Sequence, residues 1–370
     1  MARFEQTFVR RLGWLGAGEF QQRLAQAHLL PGPSSSQLGF AIGHHRAGLT
    51  GALLAFVAFT LPSVLLMLLA ALHLHRLPTD WLGLLTHGFK LVAVVVIADA
   101  VLSMARSFCR TSRGVGWALL ALAASVAGFS VAVIGLLVLL VLMAEWILRR
   151  LLRKPLQTPF SVPASPAPAE FIPGSRVLYR SGFWLVVWAL FLAASFYSAG
   201  ALWSGFYQVG TSVFGGGHVV LPLMQQAFSG QLNANLLFNG YAAAQAVPGP
   251  MFTLATYIGA SSVPQAPVSA ALIATAAVFL PGFLLMLAFM PVWQWLQGIR
   301  PVASAVAALS AAMVGVLAAA GLVVLEAALL SVSDVVLIGA GLVLLLWKRI
   351  HILLLMAFML ATVAVRYWWL

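Results

Sequence analysis

Two Pro-Gly-Pro triplets, Pro31-Gly32-Pro33 and Pro248-Gly249-Pro250, interrupt apolar surroundings, and the same landmarks follow each in the same order. Ile42-Gly43 follows the first and Ile258-Gly259 the second. Next come Leu61-Pro62-Ser63-Val64-Leu65-Leu66-Met67-Leu68 and Leu280-Pro281-Gly282-Phe283-Leu284-Leu285-Met286-Leu287, whose prolines lie 31 and 33 residues beyond the first proline of each triplet. A single triplet would mean little. Two ordered landmarks at nearly one spacing mark an internal repeat. Three further apolar segments complete each copy, at about 90–107, 115–127 and 131–148 in the first and about 302–325, 335–347 and 350–369 in the second.

The surroundings of these landmarks decide the solvent. Of the 370 residues, 62% are hydrophobic and only 8% charged, against roughly 25% charged in a soluble globular domain. A water-covered surface cannot be built from so little charge, so the outside must face lipid. At about 20 apolar residues per spanning helix, the chain has room for about ten crossings. The expected fold class is an all-α polytopic integral membrane protein made of two homologous, inverted repeats with broken helices. The net charge of +12 would suggest nucleic acid in a soluble protein. Here the basic residues lie between apolar runs, where the bias toward cytoplasmic loops accounts for them without such a partner. The single Cys109 excludes a disulfide framework and a multi-thiolate metal site. No metal or other cofactor is expected, and residues 1–26 lack the apolar core of a secretory signal peptide.

Arg149, Arg150, Arg153 and Lys154 precede a Pro/Ala/Ser-rich stretch, and Arg176 and Arg180 follow it. Such a run reads as an extended cytoplasmic linker. It divides the chain into a first repeat (1–154), the linker (155–175) and a second repeat (176–370). The last two segments of each copy read as a hairpin. In the first copy its ends are basic (Arg106, Arg110, Arg113; Arg149, Arg150) and its tip near Gly128 is uncharged; in the second the tip is basic, Lys348-Arg349. The positive-inside rule then points one hairpin outward and the other inward. Inverted repeats with Gly- and Pro-interrupted segments are a recurring plan of secondary transporters, in which broken helices meet near the bilayer midplane.

Each Pro-Gly-Pro should end one helix and begin another, at Ser34-Ser35-Ser36-Gln37 in the first copy and Met251-Phe252-Thr253 in the second. A helix N-terminus offers free N–H groups and partial positive charge, which suit an anion. The competing reading is a structural kink with Ser34 as an ordinary N-cap. Gly39-x-x-x-Gly43 and Ala255-x-x-x-Gly259 read as close helix packing between the repeats. Phe214-Gly215-Gly216-Gly217-His218 is a second glycine-rich break, where His218 either carries a proton beside a substrate or is hydrogen-bonded structure. Asp99 lies in an apolar segment, as a coupling group or as a partner of Arg106 seven residues on. Glu326 and Asp334 read as solvated residues at segment ends, and Trp368 and Trp369 as an interfacial anchor. No Walker loop, Gly-x-Gly-x-x-Gly, His-Glu-x-x-His or Gly-x-Ser-x-Gly occurs, so no enzyme activity is expected.

At these residues the chain resembles the chromate ion transporter family. In the second copy the resemblance rests on Val209-Gly210, Phe214 through Pro222, Gly240-Tyr241, and Ala244-Gln245-Ala246-Val247-Pro248-Gly249-Pro250-Met251-Phe252-Thr253. In the first it rests on Glu5, Phe8-Val9-Arg10-Arg11, Trp14-Leu15 and Leu30 through Gly39. The resemblance implies a multi-pass protein of the bacterial plasma (inner) membrane that exports chromate and gives chromate resistance. It adds Gln245 to the substrate-binding set, with His28 at the matching position before Pro31, and Ser310 where the family often has Asn. It also implies a further spanning helix, ending in a Phe-Gly-Gly-Pro and His element, ahead of the point where this chain starts. Chromate and sulfate are both tetrahedral dianions, so the partner expected is a chromate- or sulfate-like oxyanion, within a lipid bilayer. A homodimer is allowed but not read from the residues. The alternatives are transport of another small solute, or a truncated membrane protein that transports nothing.

Overall fold

The computed structural model describes residues 4–74, 78–129, 131–151, 173–198, 200–213, 217–228, 230–297, 300–348 and 352–369. Among these there is no strand, and the chain is an all-α polytopic membrane protein. A π-helical turn, Glu5–Arg11, precedes α1 (Ala17–Leu29) and α2 (Ser34–His73). Then come α3 (Thr79–Phe108), α4 (Ser112–Val126), α5 (Val131–Leu151), α6 (Ser175–Tyr197), α7 (Leu202–Ser212), α8 (Val220–Ala227), α9 (Ala234–Ala246) and α10 (Leu254–Ser262). The rest is α11 (Pro267–Phe289), α12 (Trp293–Gln297), α13 (Arg300–Ala328), α14 (Val332–Lys348) and α15 (Ile352–Trp369). The three trailing segments of each copy are thus α3–α5 and α13–α15. Nearly all of the linker, 152–172, lies outside the described residues.

Among the described residues, five helices are long and apolar enough to cross a membrane, and four shorter apolar ones of 10–17 residues accompany them. Part of the apolar chain instead forms short hairpins. Glu19 Oε1 pairs with His45 Nδ1 at 3.1 Å, while Phe20 and Ala27 of α1 bury against Leu38 and Ile42 of α2. These contacts centre on Gly32, so α1 and the first arm of α2 form an antiparallel hairpin with the Pro-Gly-Pro at its tip. A Cβ on Gly240 would lie 2.6 Å from Tyr257 Cδ1, which centres the α9–α10 hairpin on the second triplet in the same way. At 13 residues, α1 and α9 are each about 20 Å long, too short to span a hydrocarbon core of about 30 Å.

α2 is not one rod. Ala47 and Gly48 leave helical geometry, with Gly48 at φ +60°, a left-handed backbone suited to glycine. The first arm (34–46) therefore folds back along the second (49–73), and Gly43 and Gly51 meet backbone to backbone. In the second half, a Cβ on Gly259 would lie 2.6 Å from Ala274 Cβ, and Thr256 bonds Thr275 at 2.7 Å. The small residues Gly43 and Gly259 thus pack inside their own halves, against the helix that follows each hairpin. Although α10 as a whole also lies against α2, packing between repeats does not run through these two glycines. The reason is the bend at Gly48 and the short turn before α11, which bring each helix back onto its successor.

The centre of the bundle is the buried run Leu91–Ile97 of α3 with α9, α11 and α13. α4 packs on α13 where the backbone of Gly315 meets the Ala118 carbonyl. α6 turns its apolar side outward: Phe183, Val186, Leu190 and Phe196 are all exposed, as lipid-facing residues should be.

At the end of the bundle where α13 passes into α14, hereafter the upper end, Asp334 is fully buried rather than solvated. Its Oδ2 accepts from the N–H groups of Leu330 and Ser331, both at 2.9 Å, capping α14. Its Oδ1 accepts from Arg366 Nη1 at 3.0 Å and lies 3.1 Å from His87 Nε2. A carboxylate next to lipid is kept charged by such partners. Asp334→Ala leaves two N–H groups without an acceptor and Arg366 with only the Ser333 hydroxyl. It should lower stability by about 1–3 kcal/mol, read as a drop in the unfolding midpoint of the detergent-purified protein. Glu326→Ala, on an exposed residue, should change the midpoint little.

Candidate functional site

Each Pro-Gly-Pro tip rests on the second proline landmark of the other half. In the first, Gly32 adopts φ +124°, and its N–H donates to the Val213 carbonyl at 2.8 Å. Gln37 Nε2 donates to the carbonyls of Pro31 at 2.7 Å and Gly282 at 3.2 Å. A Cβ on Gly32 would sit 3.1 Å from Gly282 Cα and 2.8 Å from Gln37 Nε2, so only glycine fits. In the second, Gly249 adopts φ +155°, and a Cβ there would run into Ser63, 2.7 Å from its Cβ. Thr253 Oγ1 and N–H both donate to the Pro250 carbonyl, at 2.9 and 3.0 Å. Gly32 thus meets Pro281-Gly282, and Gly249 meets Pro62-Ser63.

Phe40 and Phe56 of α2 meet Phe279 and Phe283 of α11 beside these tips, with Phe40 stacked on Phe283 at 4.4 Å. The glycine-rich break touches both. Val213, just before it, accepts from Gly32, and a Cβ on Gly217 would lie 3.1 Å from Met251 Cβ. Phe214, Gly215, Gly216 and the His218 side chain lie outside the described residues.

Helix geometry follows the triplets as expected. α2 starts at Ser34 after Pro33, with no side-chain cap, so Ser34 is the first helical residue and not the N-cap. A 3-10 turn, Met251–Thr253, leads into α10. Around these starts, buried polar atoms lack partners: Ser36 Oγ, Gln37 Oε1, Thr60 Oγ1 and Thr211 Oγ1. An unmet buried polar group costs about 1–3 kcal/mol, so a set of them between broken helices suits water or a polar ligand. The tips differ in exposure. Pro31, Gly32 and Pro33 are buried, Ser34 and Ser35 half-buried, whereas Pro248 and Gly249 are exposed and Pro250 buried.

Other sequence-selected residues lie elsewhere. Asp99 is half-buried in α3 and makes no ion pair with the exposed Arg106, because seven residues of helix separate them by about 10 Å. His28 is exposed and Ser310 buried in α13; the side chains of Trp368 and Trp369 lie outside the described residues. Among the described residues no three His, Cys, Asp or Glu gather as a metal site. The cavity beside Lys90 has no signal in the sequence, where Lys90 reads only as the start of an apolar segment.

The packing at Gly32 separates backbone strain from collision. Gly128 also has positive φ, +86°, but nothing lies within 4 Å of a Cβ there. Gly128→Ala should cost about 1–2 kcal/mol from backbone strain alone. Gly32→Ala should cost clearly more, in the same thermal unfolding assay.

Comparison with known proteins places the sequence among transporters. A protein named probable chromate transport protein from Synechococcus elongatus is 26% identical over 282 residues, 75% of this chain and 67% of its own length. A chromate transport protein from Cupriavidus metallidurans is 24% identical over 315 residues, 82% of this chain and 71% of its own. An uncharacterized transporter from Methanocaldococcus jannaschii is 23% identical over 292 residues, 77% and 69% of the two chains. No solved structure matches. The chromate transporter family matches residues 1–149 and 200–365, and with both triplets and their surroundings inside those spans the chain belongs to that family.

Proposed function

We propose that the protein is a secondary transporter that carries chromate outward across a bacterial plasma membrane. Family membership supports the class of protein. The observation that carries the reading is the pair of Pro-Gly-Pro tips, each lodged against the other half beside buried polar atoms without partners. Irregular backbone at membrane depth is tolerated only where protein or water meets it, and transporters place their substrate at such breaks. The binding residues proposed are Pro31, Gly32, Pro33, Ser34, Ser35 and Gln37 at one tip, and Gln245, Pro248, Gly249, Pro250 and Thr253 at the other. Phe214, Gly215, Gly216, Gly217 and His218 complete the proposed set. Free N–H groups at the helix starts favour an anion, and a dianion moved uphill needs a gradient. Asp99 and His218 are the groups proposed to couple transport to protons.

The direct test is anion flux into liposomes holding the purified protein, with chromate and sulfate in turn. Protein-dependent chromate flux is expected, lost in Gly249→Val while the variant inserts normally. Sulfate flux at the same rate would make the substrate any tetrahedral dianion, and flux of neither would overturn the reading. Asp99→Asn and His218→Gln should flatten the pH dependence of flux; an unchanged profile in both would leave exchange for a counter-anion.

We infer further that residues 1–154 and 176–370 are inverted repeats joined by the linker 155–175. Supporting this, Phe129 of the α4–α5 turn accepts from Gln226 at 3.5 Å, and Asp334 at the start of α14 meets His87. In a Cys109→Ser background, Gly128→Cys should react with an impermeant thiol reagent from outside and Lys348→Cys from the cytoplasm. Reaction of both from one side would remove the inversion.

A further inference from the structure

At the upper end of the bundle a cavity of about 560 Å³ opens among Thr86, His87 and Lys90 of α3, Asn235 and Asn239 of α9, and Tyr257 of α10. Its chemistry is unusual for a membrane-spanning region. The Lys90 ammonium lies 5.7 Å over the Phe238 ring and pairs with no carboxylate among the described residues. A cation in a spanning helix is costly and is normally paired. The carboxylate beside the cavity, Asp334, does not serve Lys90. Both its oxygens are taken by the start of α14, Arg366 and His87. Arg366 offsets its charge, so the cavity keeps the positive charge of Lys90.

Donors surround that charge. Asn239 lines the cavity at 6% exposure, and its Oδ1 is buried without a partner. Amide ends exchange by rotation about one bond, so this side chain can present an N–H to an acceptor. Tyr257 brings a hydroxyl from the helix that leads away from the second Pro-Gly-Pro tip. The volume is several times that of one water in the liquid, about 30 Å³, and so holds a small oxyanion with part of its hydration shell.

We propose that this cavity is a second, peripheral oxyanion site, in which Lys90, Asn239 and Tyr257 hold a hydrated tetrahedral dianion between bulk water and the tips. That the anion is the transported one rests on the function proposed above. Lys90 supplies the charge, and the amide and phenol supply neutral donors that bind without stripping the ion of all its water. The site is distinct from the tips, since none of the triplet residues lines it.

The test is protection of Lys90 from acetylation by acetic anhydride in purified protein, read by peptide mass spectrometry, with chromate, sulfate or chloride at one ionic strength. Lys90 should be acetylated in chloride and protected by chromate or sulfate, while Lys154 and Lys348 react alike in all three. Equal acetylation of Lys90 in every anion, or no reaction in chloride, overturns the site. In the liposome assay Lys90→Gln should raise the half-saturating chromate concentration roughly ten-fold, as loss of one charge-assisted hydrogen bond implies, and Lys90→Arg should restore most of it. An unchanged value in Lys90→Gln, with flux still lost in Gly249→Val, removes the cavity and leaves the transport reading standing. Protection of Lys90 in a protein that shows no flux does the reverse.

Discussion

Backbone exposed by a broken helix must find partners where there is no water, and that requirement organises the molecule. Proline ends the helical ladder at each triplet, leaving carbonyls and N–H groups that lipid cannot meet. The protein meets them by crossing its own halves. Gln37 ties the Pro31 carbonyl to that of Gly282, and the Gly32 N–H reaches Val213. Such an approach brings main chain against main chain, which a side chain at Gly32 would block. The Phe40–Phe283 stack and its neighbours then fill the space that the close approach leaves beside it.

Much of this was legible. The Pro-Gly-Pro triplets announced where helices stop and restart, whereas Pro62 and Pro281 lie inside helices. The bounds of α4, α5 and α13–α15 follow the apolar segments closely, and α3 starts eleven residues earlier than expected. Direction was not legible. A proline and a glycine say that a helix ends, but not whether the chain then continues across the membrane or returns. That is settled by contacts such as Glu19 with His45, whose meaning appears only once the fold joins them. The same gap explains Gly43 and Gly259, whose spacing announces close packing without naming the partner.

Charged residues were harder still. Asp334 stands at a segment end and reads as wet, yet its partners come from 32 and 247 residues away. Asp99 and Arg106 share a helical face, but a shared face is not contact when two turns of helix intervene. Lys90 begins an apolar run and looks like a boundary residue. Its place beside Asn239 and Tyr257 depends on three helices converging, which no local pattern records.

The buried carboxylate at the upper end also has a mechanical meaning. By holding the start of α14, the end of α15 and the first third of α3 at one point, Asp334 pins three long elements into a single strut. A strut cannot shear without breaking charged bonds at the edge of the bilayer. Neither Pro-Gly-Pro hairpin supplies a bond to that junction, and the first of them is set apart from the rest of its helix by the bend at Gly48. The Pro-Gly-Pro tips are fastened separately, each to the opposite half, through Gly32 with Val213 and Gly249 against Ser63.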